Sequence, residues 1–280
     1  MIANSFALSS NGRTPEFGSG YPGSNPGGAI SGIPRAFYEE LYTQERTHWW
    51  HVGRRERILR LLEMFSAPRG APRRVLDVGC GTGGFLEAAA RSGAVVGMDH
   101  EPLALALCRR RGLRGLIQHD VAALPWPVRD AAFDVVTALD VVEHVDDDAG
   151  CVAEMARVLK PGGVAVISVP SLQWLWSYWD EQMGHRRRYT RPQVAALLRR
   201  AGLRVVWTSY AECATLPAIA AGRWWKQRQV ARGRPVASDN APPPAVVNRA
   251  LRWYGRLENQ WLRWGRLPWG TSVAAVGIKD

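Results

Sequence analysis

One turn constrains this chain more than any other feature. Val75-Leu-Asp-Val-Gly-Cys-Gly-Thr-Gly-Gly-Phe85 starts as an apolar run, breaks into a glycine cluster and passes into an alanine-rich helical pattern from Phe85 to Ala90. That order reads as a strand, a tight turn and the first turn of a helix. A plain turn of this kind needs one glycine. Glycines at 79, 81, 83 and 84 permit positive φ and let the backbone come close to a bound ligand at a helix N-terminus. Gly79, Gly81 and Gly84 also satisfy Gly-x-Gly-x-x-Gly, a nucleotide-binding fingerprint that is weak when taken alone.

Four aspartates sharpen it. Asp77 sits two residues before the first glycine, where a carboxylate can hold the loop amides or accept from a ligand ammonium. Asp99 lies 20 residues after Gly79, at the end of the apolar run Ala94-Val-Val-Gly-Met98. A carboxylate there can accept from both hydroxyls of a ribose. Leu116-Ile-Gln-His-Asp-Val121 reads as a third strand ended by Asp120, and Phe133 to Leu139 as a fourth, continued by Asp140-Val-Val-Glu-His-Val145. In open parallel sheets ligands bind beyond the carboxyl ends of strands, and all four aspartates fall at or near such ends. The next aspartates, Asp146 to Asp148, open a helix, where carboxylates suit the dipole better than they suit a metal site. That helix stops at Lys160-Pro-Gly-Gly163, ahead of a fifth strand, Val164 to Val169.

Leu76-Asp-Val-Gly-Cys-Gly-Thr-Gly83, Gly97-Met-Asp-His-Glu-Pro102, Gln118-His-Asp-Val121 and Leu159-Lys-Pro-Gly-Gly163, in this order, resemble the class I S-adenosylmethionine-dependent methyltransferases, in particular their small-molecule and lipid-type members. The resemblance implies an α/β fold, a doubly wound Rossmann-like sheet of seven strands, mostly parallel with the last antiparallel. It implies S-adenosyl-L-methionine as cofactor, held by Arg54, Asp77, Gly79, Cys80, Gly81, Gly83, Asp99, His100, Asp120, Val121 and Leu139. Asp120 would accept from the adenine amino group with the Val121 amide beside it, or would merely end a turn. Similar enzymes carry a His-Trp-Trp…Arg segment ahead of the first strand, matched here by His48 to Arg54, whose arginine is placed to pair with the methionyl carboxylate; Arg55 and Arg57 lie close by. Trp49 and Trp50 are then either a lid over the cofactor or an anchor packing a helix on the sheet. Similar enzymes also show Gly-His-x-Arg-x-Tyr after strand five, matched by Gly184 to Tyr189. On a functional reading His185 is a general base for an acidic hydroxyl and Arg187 or Arg188 holds an anionic group; on the other, this is a solvated basic loop. His144 competes for the base role or packs beneath the cofactor.

The 280 residues are 46% hydrophobic and 22% charged, which fits one soluble domain with attachments. Residues 34–280 form the expected methyltransferase domain. Residues 1–33, rich in glycine, proline and small polar residues, read as a disordered tail. Its Gly-Ser-Asn-Pro is what a reading frame through a tRNA T-loop spells, so we expect translated tRNA-gene sequence from an over-extended start site, dispensable for activity. No apolar run reaches the roughly 18 residues of a spanning helix, and no basic start precedes an apolar segment at the N-terminus. Cysteines 80, 108, 151 and 213 are scattered and the six histidines dispersed, so reduced thiols, a cytoplasmic setting and no metal site are expected.

The net charge is +11. Between strands six and seven of such a fold the connection is ordinarily short, yet here residues 212–269 intervene, with ten basic and three acidic residues and six of the thirteen tryptophans. From 245 to 267, Val247, Ala250, Leu251, Tyr254, Leu257, Trp261 and Trp264 make a helical stripe, with Arg249, Arg252, Arg256 and Arg263 off it. The insertion reads as a helical cap over the catalytic face, as an interfacial helix lying on anionic lipid through 245–269, or as both. Either reading suggests a small-molecule acceptor that is hydrophobic or lipid-linked, and a peripheral position at the inner membrane face. No RNA module is present, and no nucleic-acid partner is expected. Two alternatives stand beside methyl transfer. An NAD-dependent oxidoreductase would leave Asp77, Asp120 and Lys-Pro-Gly-Gly without a purpose, and no Tyr-x-x-x-Lys pair is present. A non-catalytic cofactor-binding protein would carry a damaged glycine loop, and this loop is intact.

Overall fold

The computed structural model describes residues 35–66 and 73–280. The expected tail, residues 1–33, lies outside them. Among the described residues seven strands form one sheet: β1 (Arg73–Val78), β2 (Gly93–Asp99), β3 (Leu116–Gln118), β4 (Phe133–Leu139), β5 (Leu159–Pro170), β6 (Leu203–Ala211) and β7 (Ser272–Lys279). Their order is β3-β2-β1-β4-β5-β7-β6, with β7 antiparallel to both neighbours and the other pairs parallel. The doubly wound expectation holds, including the antiparallel last strand. The chain runs outward from β1 on one side and from β4 on the other, so the crevice of this sheet opens above the carboxyl ends of β1 and β4.

Alternate residues along the strands face opposite layers. On one face Leu76, Val136, Ala165 and Ala275 pack against α5 (Asp148–Val158) and α7 (Arg191–Arg200) through Val152, Met155 and Leu198. On the other, Val75, Val135, Val166 and Val276 pack against α2 (Trp49–Phe65), α3 (Gly84–Ala89) and α4 (Pro102–Arg110) through Ile58, Leu61, Leu86 and Leu105. Burying both faces is what lets β1 and β4 read as continuous apolar runs. An N-terminal helix, α1 (Arg35–Gln44), lies over α4, and a short α6 (Tyr178–Gln182) follows β5.

Several boundaries differ from the sequence reading. Trp49 begins α2 itself, with His48 as the cap accepting from the Trp50 amide at 3.3 Å, so the paired tryptophans are the first turn of the amphipathic helix. Lys160-Pro-Gly-Gly163 is a bulge inside β5, which already pairs at Leu159. β3 ends at Gln118, two residues before Asp120.

In the insertion the sequence leaves two readings open, a cap and an outward-lying helix. The insertion contains α8 (Leu216–Val230) and α9 (Ala245–Trp261), as a helical cap would. Most of the apolar stripe of α9, however, turns outward, with Leu251 the member that reaches the cavity. Trp253, Trp261 and the following Trp264 are 65%, 57% and 81% exposed. With Val246, Val247 and Leu257 they form an outward row. Apart from Leu251 and the half-buried Tyr254, the inward face is polar or small. The Asn248 side chain accepts from the Trp49 amide (2.9 Å) and donates to the Thr47 carbonyl (2.9 Å), and Asn259 donates to the Gly53 carbonyl (2.9 Å). Gly255 faces Gly53 across the crossing of α9 on α2, with room for close approach. Glu258 accepts from the amides of Glu212 (2.7 Å) and Cys213 (2.9 Å), and Glu212 in turn forms a buried pair with Arg57 at 2.7 Å. Directional polar contacts hold α9 in place, which leaves its apolar face free.

Candidate active site

The glycine turn opens into a cavity of about 500 Å³ above the crevice, within the range of small-molecule sites. Gly79, Gly81 and Gly83 have φ of +63°, +52° and +82°. A Cβ on Gly79 would meet Val141 Cγ2 at 2.5 Å, whereas one on Gly81 meets nothing nearer than Leu41 Cδ2 at 3.7 Å. Gly79 thus serves close packing, and Gly81 serves open access from the cavity. The loop is pinned by Asp99, whose buried carboxylate accepts from the amides of Gly81 (2.8 Å) and Glu101 (3.0 Å). Burial raises the Asp99 carboxyl above its ordinary range, and the two amides pull it part of the way back. Just past the end of α1, Glu45 bonds the Thr82 hydroxyl and pairs with Arg111 at 2.9 Å, tying the end of that helix to the glycine loop.

The expected cofactor residues do not all reach the cavity. Arg54, Gly79, Cys80, Gly81, Asp99, His100, Val121 and Leu139 line it. Asp77 and Asp120 are not among the lining residues. Asp77 is buried beneath the loop and accepts from Thr137 Oγ1 at 2.5 Å; burial pushes it up to about 7, against the pull of that hydrogen bond and of Arg54. Asp120 accepts from the Ala122 amide at 2.9 Å, the turn geometry that was its alternative reading. Gly83 turns toward Leu113 and Cys108 instead of the cavity. Arg54 lies over the Trp50 ring at 4.6 Å and pairs with Asp140 at the tip of β4. Trp49 and Trp50, half-buried, line the cavity as a lid would.

Opposite the loop, His144 and His185 meet edge to face with ring centroids 4.7 Å apart, although 41 positions separate them in the chain. His185 Nδ1 bonds Asp180 Oδ1 at 2.8 Å. Arg188 grips the same carboxylate with two N–H groups, at 2.8 and 2.9 Å. Burial works against ionised Asp180, but the His185 hydrogen bond and the Arg188 charge outweigh it and hold the carboxyl below its ordinary value. Burial lowers His185 and takes His144 down to about 3. Arg187 departs from its expected role: it turns away from the cavity to pair with Asp148 at 3.0 Å, and Tyr189 bonds the same carboxylate at 2.9 Å. Arg188 lines the cavity, but Asp180 already engages it.

Sequence reasoning overlooked Glu143 and Asp180, and named no individual residue of the insertion as part of the site. Glu143 is fully buried beside His144, neither of its carboxylate oxygens has a hydrogen-bond partner among the described residues, and burial raises it to about 8. Its only sequence signal was adjacency to His144. The insertion walls the cavity with Ile219, Arg223, Lys226, Asn240 and Leu251; Arg223 and Lys226 both pair with Asp239, at 3.1 and 2.8 Å. Polar residues therefore meet the acceptor side from a segment whose composition advertised only charge and tryptophan.

Fold and site define an α/β domain of the class I, S-adenosylmethionine-dependent type. The chain belongs to the methyltransferase-domain family, whose model matches residues 49–208, more than half of its length. It is 37% identical over 143 residues to a Mycolicibacterium smegmatis protein named a probable S-adenosylmethionine-dependent methyltransferase, covering 50% of this chain and 55% of that one. It is 42% identical over 103 residues to a ubiquinone biosynthesis O-methyltransferase of Alkalilimnicola ehrlichii, covering 34% and 41%. The chain thus spans about half or less of the length of these relatives. Among solved structures, an Archaeoglobus fulgidus SAM-dependent methyltransferase superposes with a TM-score of 0.53 at 20% identity, covering 85% of this chain and 98% of that one, a likeness of fold. The family membership displaces the oxidoreductase alternative.

Proposed function

We propose that the protein transfers the methyl group of S-adenosyl-L-methionine to a small hydrophobic, lipid-linked acceptor presented at an anionic membrane surface. The observation that carries the donor half is the Gly81 backbone, open to the cavity and tied by its amide to a buried Asp99. The residues fit the donor. Asp99 retains lone pairs for ribose hydroxyls, Val121 and His100 bound the nucleoside end, and Arg54 keeps further N–H groups for a carboxylate. When bound, the donor supplies an already activated methyl on sulfur. This chain then aligns the acceptor, excludes water with Trp49, Trp50 and the α8–α9 wall, and holds the acceptor's proton. Alignment of this kind lowers barriers by about 7–11 kcal/mol. Proton removal we assign to the cluster of His185, His144 and Glu143.

The acceptor class is supported by the outward row on α9. Exposed tryptophans flanked by Arg249, Arg256 and Arg263 suit the boundary between headgroup and acyl chain. Among the described residues no helix is long and apolar enough to cross a membrane, so contact would be peripheral. A relative named for O-methylation in ubiquinone biosynthesis agrees with a hydroxyl acceptor. The test is incubation of the protein with methyl-labelled cofactor and separate lipid and polar extracts of the source cell. Label should appear in an organic-soluble product; label confined to polar products overturns the acceptor class, and cofactor binding without any transfer overturns the enzyme reading.

A further inference from the structure

We propose that Glu143, His144 and His185 bind one divalent transition-metal ion of the zinc class on the acceptor side of the cavity. One ligand atom from each of the three lies within 4.8 Å of the other two. Ligand bonds of about 2.0–2.2 Å to a shared ion need only a modest closing of that triangle. Glu143 and His144 stand on the 3-10 turn that follows β4, and His185 on the loop between α6 and α7, so the tertiary fold assembles the three.

Two independent observations point to a ligand at this place. Both Glu143 oxygens and His144 Nδ1 are buried without hydrogen-bond partners among the described residues. Buried polar groups are rarely left so, because an unpaired buried carboxylate is expensive. In addition, His185 is oriented as metal-binding histidines are. Its Nδ1 faces Asp180 at 2.8 Å, leaving Nε2 as the atom to give to a metal, and Asp180 is itself fixed by Arg188 and by the Ser177 amide at 2.9 Å. The guanidinium groups nearby do not forbid a dication, since Arg54 is paired with Asp140 and Arg188 with Asp180. Two imidazoles with one carboxylate favour a borderline ion such as Zn²⁺ over Mg²⁺, and three protein ligands leave coordination positions open for water or substrate.

The role of the ion rests on the methyl-transfer reading and deepens its proton step. An acceptor hydroxyl coordinated at an open position would pass its proton to metal-bound hydroxide, which leaves as water. The acceptor oxygen then forms a bond to the methyl carbon as the carbon–sulfur bond breaks, and the electron pair stays on sulfur as a neutral thioether. On this account neither histidine is a free base.

The experiment uses full-length protein, stripped with EDTA and titrated with ZnCl₂, CoCl₂ and MgCl₂, with cofactor binding measured in parallel by calorimetry. We expect one equivalent of Zn²⁺, visible-region Co²⁺ absorption of a four- or five-coordinate site, and no comparable Mg²⁺ binding. Glu143→Gln and His185→Ala should each weaken Zn²⁺ by at least about 100-fold, and Asp180→Asn by about 10–100-fold through the lost orientation. The surface variant Arg204→Gln should leave affinity unchanged. Absence of stoichiometric Zn²⁺ in the wild type, or affinity indifferent to Glu143→Gln and His185→Ala, overturns the site. Because the wild-type stoichiometry and Co²⁺ spectrum need no variant, a variant that fails to fold does not shield the proposal. Cofactor binding without metal binding refutes the ion alone, whereas metal binding without cofactor binding refutes the methyl-transfer reading.

Discussion

The donor loop and the α8–α9 insertion solve opposite problems. Around the loop, charge is hidden: Asp77, Asp99, Glu45 and Glu143 are all buried within reach of residues 79–84 or the cavity that they open into. On the insertion, hydrocarbon is displayed: Trp224, Trp225, Trp253, Trp261, Trp264 and Trp269 are all exposed. Each arrangement costs stability on its own account, since buried carboxylates lose hydration and exposed indoles gain nothing from the core. Such costs persist where a ligand or surface offsets them; on the proposed function the two regions mark the donor and the lipid surface.

The contrast can be broken most directly at Gly81. Gly81→Arg puts a branchless position at φ +52° under strain and fills the cavity mouth, and should weaken cofactor binding by at least about 100-fold in calorimetry, or about 3 kcal/mol. Undiminished affinity would separate the loop from the donor site. Asp99→Ala, which removes a charged acceptor, should weaken binding by about 10- to 100-fold; an unchanged dissociation constant removes its ribose role. On the other region, Trp253→Gln with Trp261→Gln and Trp264→Gln should abolish sedimentation with phosphatidylglycerol vesicles while moving stability by no more than roughly 0.5 kcal/mol per site. If the triple variant instead melts much earlier, the row is packing and not display.

A pH scan sharpens the comparison with the smallest expected effect. Asp77 is pushed up to about 7 and Asp99 is raised too, so each costs stability once ionised. The protein without cofactor should then lose stability as pH rises from the ordinary carboxylate value of 3.8 through about 7. A cationic donor offsets that cost, so the gain in Tm on adding S-adenosyl-L-methionine should widen between pH 6 and 8 in differential scanning fluorimetry. Asp77→Asn should flatten the widening; an identical slope in wild type and variant would detach it from this carboxylate.

The strand–turn–helix framework of the glycine loop was legible because its signals are local, whereas which of its side chains face the cavity was not, since Asp77, Gly83 and Asp120 turn elsewhere. Glycines 79, 81, 83 and 84, the apolar runs of β1, β2 and β4 and the aspartates beyond them sit within single βα units, where spacing dictates geometry. The acceptor half was not legible. His144 and His185 meet only because the loop after α6 folds back onto the turn after β4, and Asp180 carries no signal of its own in the sequence. The α9 stripe shows a different limit. Periodicity reveals that a helix has an apolar face, but which way the face turns depends on partners: Asn248, Gly255 and Asn259 meet the start and body of α2, and Glu258 the amides after β6, where tryptophan would not serve.

One consequence follows from the position of α9. Leu251 lines the cavity and Trp253 faces outward, about 3 Å further along the same helix axis. On the membrane reading, a substrate with a long tail need never enter water between its host leaflet and the reacting methyl. Turnover would then follow the mole fraction of substrate in the surface, and diluting vesicles with neutral lipid at fixed bulk concentration should slow the reaction.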